Sequence, residues 1–197
     1  MSFPQPLVLA SRSPRRRQLL EMLGIPIRVD VADIQELMLP GEAPSAYARR
    51  LARDKARAVP GAFVLGADTI VVLDGEVLEK PRDAEDAVRM LGRLQGKRHD
   101  VLTAVALMAE GVLHEADVTT GVWFREADEE TLRAYVATGE PMDKAGAYGI
   151  QGVGAALVER IEGDYFTVMG LPIGAVLDLM ARAGHPFRFG PGPTDSH

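Results

Sequence analysis

Residues 7–17 predict the first unit of the fold, and they read Leu7-Val8-Leu9-Ala10-Ser11-Arg12-Ser13-Pro14-Arg15-Arg16-Arg17. Four consecutive apolar residues, 7–10, are typical of a short buried strand. Ser13 followed by Pro14 is typical of a helix start, because a serine side chain caps free N–H groups and proline already has a helical φ. The stretch therefore predicts a strand that leads directly into a helix.

The same turn carries four arginines, three of them in the first turn of the predicted helix. Cations there oppose the helix dipole and one another, at a cost of about 0.3–1 kcal/mol each. A phosphate held by backbone N–H groups, by the hydroxyl of Ser11 or Ser13 and by the guanidinium groups of Arg15 and Arg16 would offset that cost. The alternative is a solvated basic face. The position directly after a buried strand favours the anion site.

Strands and helices alternate through the rest of the chain. Strands are predicted over 29–34, 63–73, 76–78, 101–109, 118–124, 155–161 and 165–168, and helices over 45–59, 83–96, 128–139 and 172–184. The Asp74-Gly75 hairpin signal interrupts the alternation, so the pattern predicts an α/β fold with a mixed sheet. Residues 1–189 are predicted to form a single domain, and residues 190–197 a flexible tail.

Composition excludes several classes of protein. The 197 residues carry a net charge of −6, which disfavours duplex nucleic acid and anionic membranes as partners. With no cysteine and four widely spaced histidines, thiolate zinc sites and histidine metalloprotease motifs are excluded. No apolar run is long enough to span a membrane, and the order of charges at the start does not fit a signal peptide. We therefore expect a cytoplasmic protein.

Acidic and basic side chains at three places are candidates for catalysis. Asp68 lies inside the apolar run 63–73, where a carboxylate needs a cation or hydrogen-bond donors; it is a candidate metal ligand or general base, or a structural hydrogen-bond acceptor. Lys55 lies on the inner stripe of the predicted helix 45–59. Glu36 is a second possible oxygen ligand, although simple exposure explains this residue better when it is taken alone. Lys80, before Pro81, could direct its ammonium group at a phosphate.

A glycine-rich segment spans residues 145–152. It contains neither the glycine pattern of a dinucleotide-binding site nor the lysine of a P-loop, so both of these nucleotide-binding motifs are excluded. Gln151 stands out, since an amide can donate and accept hydrogen bonds at the edge of a base. A glutamine that only satisfies a turn is the alternative.

Five segments, in this order, resemble the Maf family of nucleoside triphosphate pyrophosphatases. They are Leu9-Ala10-Ser11-x-Ser13-Pro14-Arg15-Arg16, Gly66-Ala67-Asp68-Thr69, Lys80-Pro81, Asp143-Lys144-Ala145-Gly146-Ala147-Tyr148-Gly149-Ile150-Gln151-Gly152 and Gly170-Leu171-Pro172. The similarity extends from Leu7 to about Ala183. It implies an elongated mixed sheet flanked by helices, with two lobes and a cleft between them, and it suggests a homodimer.

The resemblance also implies an activity, the hydrolysis of nucleoside triphosphates to monophosphate and pyrophosphate with a divalent cation, Mg²⁺ or Mn²⁺. Asp68 matches the proton acceptor of the family, and Glu36, Lys55 and Lys80 match residues around the phosphates and the metal, with Glu36 and Asp68 as its ligands. Three positions separate the branches of the family. Here they are Arg15, Thr69 and Gln151, a combination similar to the branch that acts on dTTP and UTP.

A second hypothesis comes from a different class of protein, a non-catalytic regulator of septum formation that binds nucleotide. The intact Asp68 favours catalysis, because a carboxylate beside a triphosphate is of little use for binding alone unless a metal joins them. Two positions depart from the family pattern: Gln35 stands where an acidic residue is frequent, and Glu79 where glycine is common.

Overall fold

A computed structural model describes residues 5–31 and 33–189. It confirms the predicted fold class, an α/β fold with a mixed seven-stranded sheet and helices on both faces. The predicted tail, 190–197, lies outside the described residues. No helix in the described ranges is long and apolar enough to cross a membrane.

Within the ranges that the structure describes, seven strands and six α-helices make up the regular structure. The strands are β1 (Leu7–Leu9), β2 (Ile27–Val29), β3 (Phe63–Leu73), β4 (Glu76–Leu78), β5 (Arg98–Ala109), β6 (Val112–Phe124) and β7 (Val158–Glu162). The helices are α1 (Pro14–Met22), α2 (Pro44–Ala58), α3 (Ala84–Leu94), α4 (Glu129–Ala137), α5 (Tyr165–Met169) and α6 (Ile173–Arg182). Three short 3-10 helices lie at Glu140–Asp143, Ala145–Ala147 and Val153–Leu157.

The order of strands in the sheet is β2-β1-β3-β5-β6-β7, with β4 paired to the far end of β3. Strand β3 pairs with β5 from Phe63 to Val72, but on its other edge β1 covers only Val64 and Leu65, and β4 covers residues 71–73. In the described chain, residues 66–70 of that edge therefore have no strand partner. The sheet is therefore interrupted along this edge, and the division into two lobes stays a prediction.

The predicted helix starts are confirmed by their side-chain caps. The Ser13 hydroxyl accepts a hydrogen bond from the backbone N–H of Arg16, and the carboxylates of Asp83 and Asp128 cap α3 and α4 in the same way. Helix α2 also forms where it was predicted, within one residue at each end.

The strand predicted over 165–168 is wrong, because these residues form the short helix α5. Asp164 caps it by accepting hydrogen bonds from the backbone N–H groups of Phe166 and Thr167. Apolar side chains in so short a run fit a buried helix as well as a strand, so the pattern could not separate the two.

Other strands differ from the prediction in their bounds, and β5 begins at Arg98, three residues before the predicted range 101–109. The strand predicted over 29–34 is wrong except at Val29: the strand here is Ile27–Val29, and it ends there because its partner β1 ends at Leu9. The strand predicted over 155–161 begins only at Val158, which pairs with the last residue of β6, Phe124. Strand β6 begins six residues before the predicted range 118–124, because pairing with β5 continues through a polar stretch.

Helix α2 covers one face of the sheet, and the other helices contribute to the clusters on the opposite face. The backbone of α2 approaches β3 most closely at Gly66, where an added Cβ would lie 2.2 Å from the backbone oxygen of Ala52. Only glycine permits this distance, and it brings the inner stripe of α2 against the strand that carries Asp68.

A buried aromatic cluster surrounds His99 near the beginning of β5. His99 on β5 packs edge-to-face against Phe124 and Tyr148, and its Nε2 atom is 2.8 Å from the Tyr148 hydroxyl. Its Nδ1 atom is buried and has no hydrogen-bond partner among the described residues. Burial lowers the pKa of His99 to about 4.

We predict that His99 makes the fold sensitive to acid. Its pKa is about 4 when folded, against about 6.5 when unfolded, so the unfolded chain binds a proton first and stability falls as pH decreases from about 6.5 to 4. Between pH 7.5 and 4.5, the titration of His99 lowers the free energy of unfolding by about 2–3 kcal/mol. Urea unfolding of the wild type and of His99→Gln at both pH values checks it, with His114→Gln as the control. Equal losses in the wild type and His99→Gln would contradict the prediction.

Candidate active site

A cleft of about 520 Å³ opens at the gap beside residues 66–70 of β3. Nine of the ten predicted site residues line it: Ser11, Ser13, Arg15, Arg16, Glu36, Lys55, Asp68, Thr69 and Lys80. They come from the β1–α1 turn, the β2–α2 connection, helix α2, strand β3 and the segment that follows β4. Segments that are far apart in sequence therefore meet where the sheet is interrupted.

Lys55, Asp68 and Glu36 form the centre of the cleft. The Lys55 ammonium lies 2.7 Å from Oδ1 of Asp68 and 2.6 Å from Oε1 of Glu36. Lys55 and Asp68 are only 7% and 6% exposed, whereas the Glu36 side chain is 40% exposed. One buried cation thus joins two carboxylates, one deep in the cleft and one at its rim.

The two carboxylates differ in their affinity for protons. Burial raises the pKa of Asp68, and the nearby charges of Lys55 and Arg16 oppose the rise without cancelling it. For Glu36, burial also favours a higher pKa, but the hydrogen bond and charge of Lys55, with Lys80, bring the pKa below its ordinary value. Asp68 is therefore the better proton acceptor of the two.

Two further groups support Glu36 at the rim. The buried Tyr47, two helical turns before Lys55, donates a hydrogen bond from its hydroxyl to the backbone oxygen of Glu36, at 3.1 Å. Lys80 lies 3.7 Å from Oε2 of Glu36, and its own side chain is 61% exposed. The position of Glu36 is thus set from α2, although Glu36 itself lies in a connection without regular structure.

Arg16 is held by the protein itself. Its Nε atom donates to the backbone oxygen of Gly170, Nη1 to the Ser11 hydroxyl and the backbone oxygen of Ala67, and Nη2 to the Thr69 hydroxyl, all at 2.7–3.0 Å. The side chain uses four of its five N–H groups in this way and is buried. Arg16 therefore organises the cleft wall, and direct contact with substrate stays a prediction.

Asp68 and Thr69 reach the cleft from opposite faces of the sheet. Successive residues of a strand alternate, so Asp68 points to α2, while Thr69 points to Arg16 and to Thr103 on β5. Because β3 has a free edge here, a ligand in the cleft can contact both faces. The Asp68 side carries Lys55, Glu36 and Lys80, and the Thr69 side has apolar neighbours, Val71 among them.

The glycine-rich segment is built around an internal carboxylate. Glu140 accepts hydrogen bonds from the backbone N–H groups of Val153 and Gly154 and from the Tyr135 hydroxyl, at 2.9–3.0 Å. A Cβ at Gly152 would lie 2.1 Å from a Glu140 oxygen. The close approach of Glu140 therefore explains why position 152 is a glycine, and no ligand is needed to explain it.

Gln151 lies apart from the other predicted residues. It is exposed on the same segment and does not line the cleft. Ala145 and Tyr148 are the residues of this segment that line the cleft, together with Asp143 and Lys144 directly before it. The role of Gln151 in base selection stays a prediction.

Sequence reasoning missed two kinds of site residue. Glu79 was noted only as a departure from the family pattern, but it lines the cleft. Burial and the negative charges of Asp68 and Glu36 raise the pKa of its carboxyl group. Thr103 and Tyr47 support other side chains from the core. Nothing in a single sequence separates these two from ordinary strand and helix residues.

The donor set fits a hard divalent cation held jointly with a ligand. Among residues 5–31 and 33–189, no group of three or more acidic or histidine side chains is arranged to hold a metal ion. Mg²⁺ in nucleotide sites uses one or two carboxylates and takes its remaining ligands from phosphates and water. Asp68 and Glu36 supply two such carboxylates on one side of the cleft.

The fold and the cleft define the class of this protein, an α/β protein whose cleft is lined by both basic and acidic side chains around the buried carboxylate of Asp68. A family model described as Maf-like protein matches residues 6–183, and the chain belongs to the Maf family.

Curated relatives cover nearly the whole chain. The dTTP/UTP pyrophosphatase of Anaeromyxobacter dehalogenans (strain 2CP-1 / ATCC BAA-258) is 55% identical, over 91% of this chain and 95% of its own. Proteins with the same name from Symbiobacterium thermophilum and Vibrio cholerae are 52% and 51% identical, over 92% and 85% of this chain and 96% and 92% of their own.

Proposed function

We propose that this protein is a nucleoside triphosphate pyrophosphatase that hydrolyses dTTP and UTP to the monophosphate and pyrophosphate. The observation that carries the proposal is the buried Asp68, paired with Lys55 inside a cleft that also presents Arg15 and Lys80. The shared name of the curated relatives supports the same two substrates.

In the proposed reaction, water attacks the α-phosphorus in line with the departing pyrophosphate. The bond between the α-phosphorus and the bridging oxygen breaks as the new bond to the water oxygen forms. Asp68 is placed to take a proton from the water, since its raised pKa makes it a stronger base than an ordinary aspartate. Lys55 keeps the Asp68 side chain in one orientation through its 2.7 Å contact.

Charge on the leaving pyrophosphate requires cations around it. Lys80 and Lys55 lie on the Asp68 side of the cleft, and Ser13 and Arg15 line the cleft at the beginning of α1. A divalent cation, Mg²⁺ or Mn²⁺, held by Asp68 and Glu36 would neutralise phosphate oxygens and lower the barrier to attack.

The proposal is tested by measuring pyrophosphate release from dTTP, UTP, dCTP, CTP, ATP and GTP, with Mg²⁺, with Mn²⁺ and with a chelator. We expect dTTP and UTP to be cleaved faster than the other nucleotides. Their two rates should lie within about tenfold of each other, because one methyl group changes a rate little. A protein that binds UTP but releases no pyrophosphate under any condition would favour the alternative, a regulator of septum formation.

We predict that Lys80 holds the outer phosphates. In Lys80→Ala, binding of a non-hydrolysable UTP analogue should weaken by about tenfold, or about 1.4 kcal/mol, while binding of UMP changes by less than about twofold. Calorimetric titration of both ligands measures this. Lys97→Ala removes an exposed lysine that does not line the cleft and serves as the control. Equal weakening for both ligands would place Lys80 at the sugar or base.

Three further expectations belong to the proposal. We expect a homodimer, as the family resemblance suggests, and a cytoplasmic location, as the absence of cysteine suggests. We also expect neither duplex nucleic acid nor a membrane as a partner, because the net charge is −6.

A further inference from the structure

A chain of hydrogen bonds leads from the cleft into the core. Thr69 on β3 lies opposite Thr103 on β5, and their Oγ1 atoms are 2.9 Å apart. Thr103 is fully buried, and its hydroxyl is 2.8 Å from the backbone oxygen of Thr167 in α5. On the cleft side, Nη2 of Arg16 lies 3.0 Å from Oγ1 of Thr69. Arg16, Thr69, Thr103 and Thr167 therefore form one continuous chain.

Counting protons gives the direction of every bond in this chain. A carbonyl oxygen only accepts, so the single hydroxyl proton of Thr103 goes to the oxygen of Thr167. Thr103 must then accept in its bond with Thr69, and Thr69 uses its own single proton there. The guanidinium of Arg16 only donates, so Thr69 accepts from it. What Thr69 can offer to the cleft is therefore a lone pair and not a proton.

We propose that Thr103 is a positioning residue which fixes the Thr69 hydroxyl as an acceptor and so lets the cleft select uracil and thymine over cytosine. The inference rests on the proposed function. In uracil and thymine, N3 carries a proton and can donate to the lone pair of Thr69. In cytosine, N3 has no proton, so two acceptors would face each other, and a site with such a mismatch rejects the ligand.

The position of Thr69 fits this role. It is partly exposed and lines the cleft, on the face of the sheet opposite Asp68. Val71, two residues further along β3, lines the cleft on the same face, and so do Val168 and Met169 from α5. Apolar walls with one directed polar atom are typical of a site that reads a base.

The test compares kcat/KM for UTP and CTP in the wild type, Thr103→Val and Thr103→Ser. Valine keeps the shape but removes the acceptor, so the Thr69 proton becomes free to turn to the cleft. We expect the UTP preference to fall at least about tenfold in Thr103→Val, with CTP gaining in rate, and to be retained in Thr103→Ser. Thr103→Ala cuts the same bond and replaces Thr103→Val if that variant does not fold.

Thr120→Val is the matched control. Thr120 is an equally buried threonine, on β6, that bonds the backbone of Asp164 before α5 and does not line the cleft. It should keep the wild-type preference even if it lowers stability by the same amount.

Several outcomes would overturn the inference. One is a Thr103→Val enzyme that keeps the wild-type preference, and another is an equal change in Thr120→Val. Equal losses for UTP and CTP, with 3′-deoxy-UTP unaffected, would mean that Thr69 accepts from the sugar hydroxyl instead. A wild type that releases no pyrophosphate from UTP would overturn the proposed function as well, so the two failures are distinguishable.

Discussion

Asp68→Asn is expected to lower turnover of UTP by at least a factor of about one hundred, while the fold and nucleotide binding are retained. Asparagine can still accept the hydrogen bond from Lys55, which lies 2.7 Å from the carboxylate, but it cannot take a proton from water. A lost general base typically costs about 10²–10⁴ in rate. Steady-state pyrophosphate release, together with binding of a non-hydrolysable UTP analogue, separates turnover from affinity.

Asp54→Asn is the control for this variant. Asp54 lies on α2 next to Lys55, its side chain is 41% exposed, and it does not line the cleft. Its turnover should stay within about twofold of the wild type. If Asp68→Asn were as active as Asp54→Asn, Asp68 would have no place in the mechanism.

Arg16→Met is expected to destabilise the protein by about 3–5 kcal/mol. The substitution removes four hydrogen bonds, to Ser11, Ala67, Thr69 and Gly170, each with a net contribution of about 1 kcal/mol. A protein of this size loses about 2–4 °C in melting temperature per kcal/mol, so we expect a decrease of roughly 10 °C. Thermal and urea unfolding measure it.

Arg17→Met tests whether the loss of stability is specific to the side chain at position 16. Arg17 follows in the same helix, but its side chain is 60% exposed and pairs only across one turn with Glu21. Such a surface pair contributes at most about 1 kcal/mol. If Arg16→Met and Arg17→Met melted at the same temperature, Arg16 would not have the organising role that its contacts indicate.

The fold was predictable wherever the signal was local. Ser13-Pro14, Asp83 and Asp128 predicted helix starts correctly because a cap depends on a few neighbouring residues. Strand ends were less predictable, since they depend on where a partner ends: β2 ends early because β1 does. The gap at residues 66–70 of β3 is a property of the sheet and has no signature in sequence.

Much of the site was also predictable, because charged residues in apolar surroundings are conspicuous. Asp68 stood out in this way, and Lys55 through its place on the inner stripe of α2. The sequence does not show that Arg16 bonds four protein groups, since its partners are up to 154 residues away. Nor does it show that Thr103 fixes the proton of Thr69, which follows only from the register of β3 with β5.

Hydrolysis of UTP in water enriched in ¹⁸O tests the central claim most directly. Attack on the α-phosphorus beside Asp68 places one ¹⁸O atom in UMP and leaves the pyrophosphate unlabelled, and mass spectrometry of the two products distinguishes them. We predict labelled UMP, unlabelled pyrophosphate and no orthophosphate. Label in the pyrophosphate would contradict attack at the α-phosphorus, and release of orthophosphate would contradict the proposed function itself.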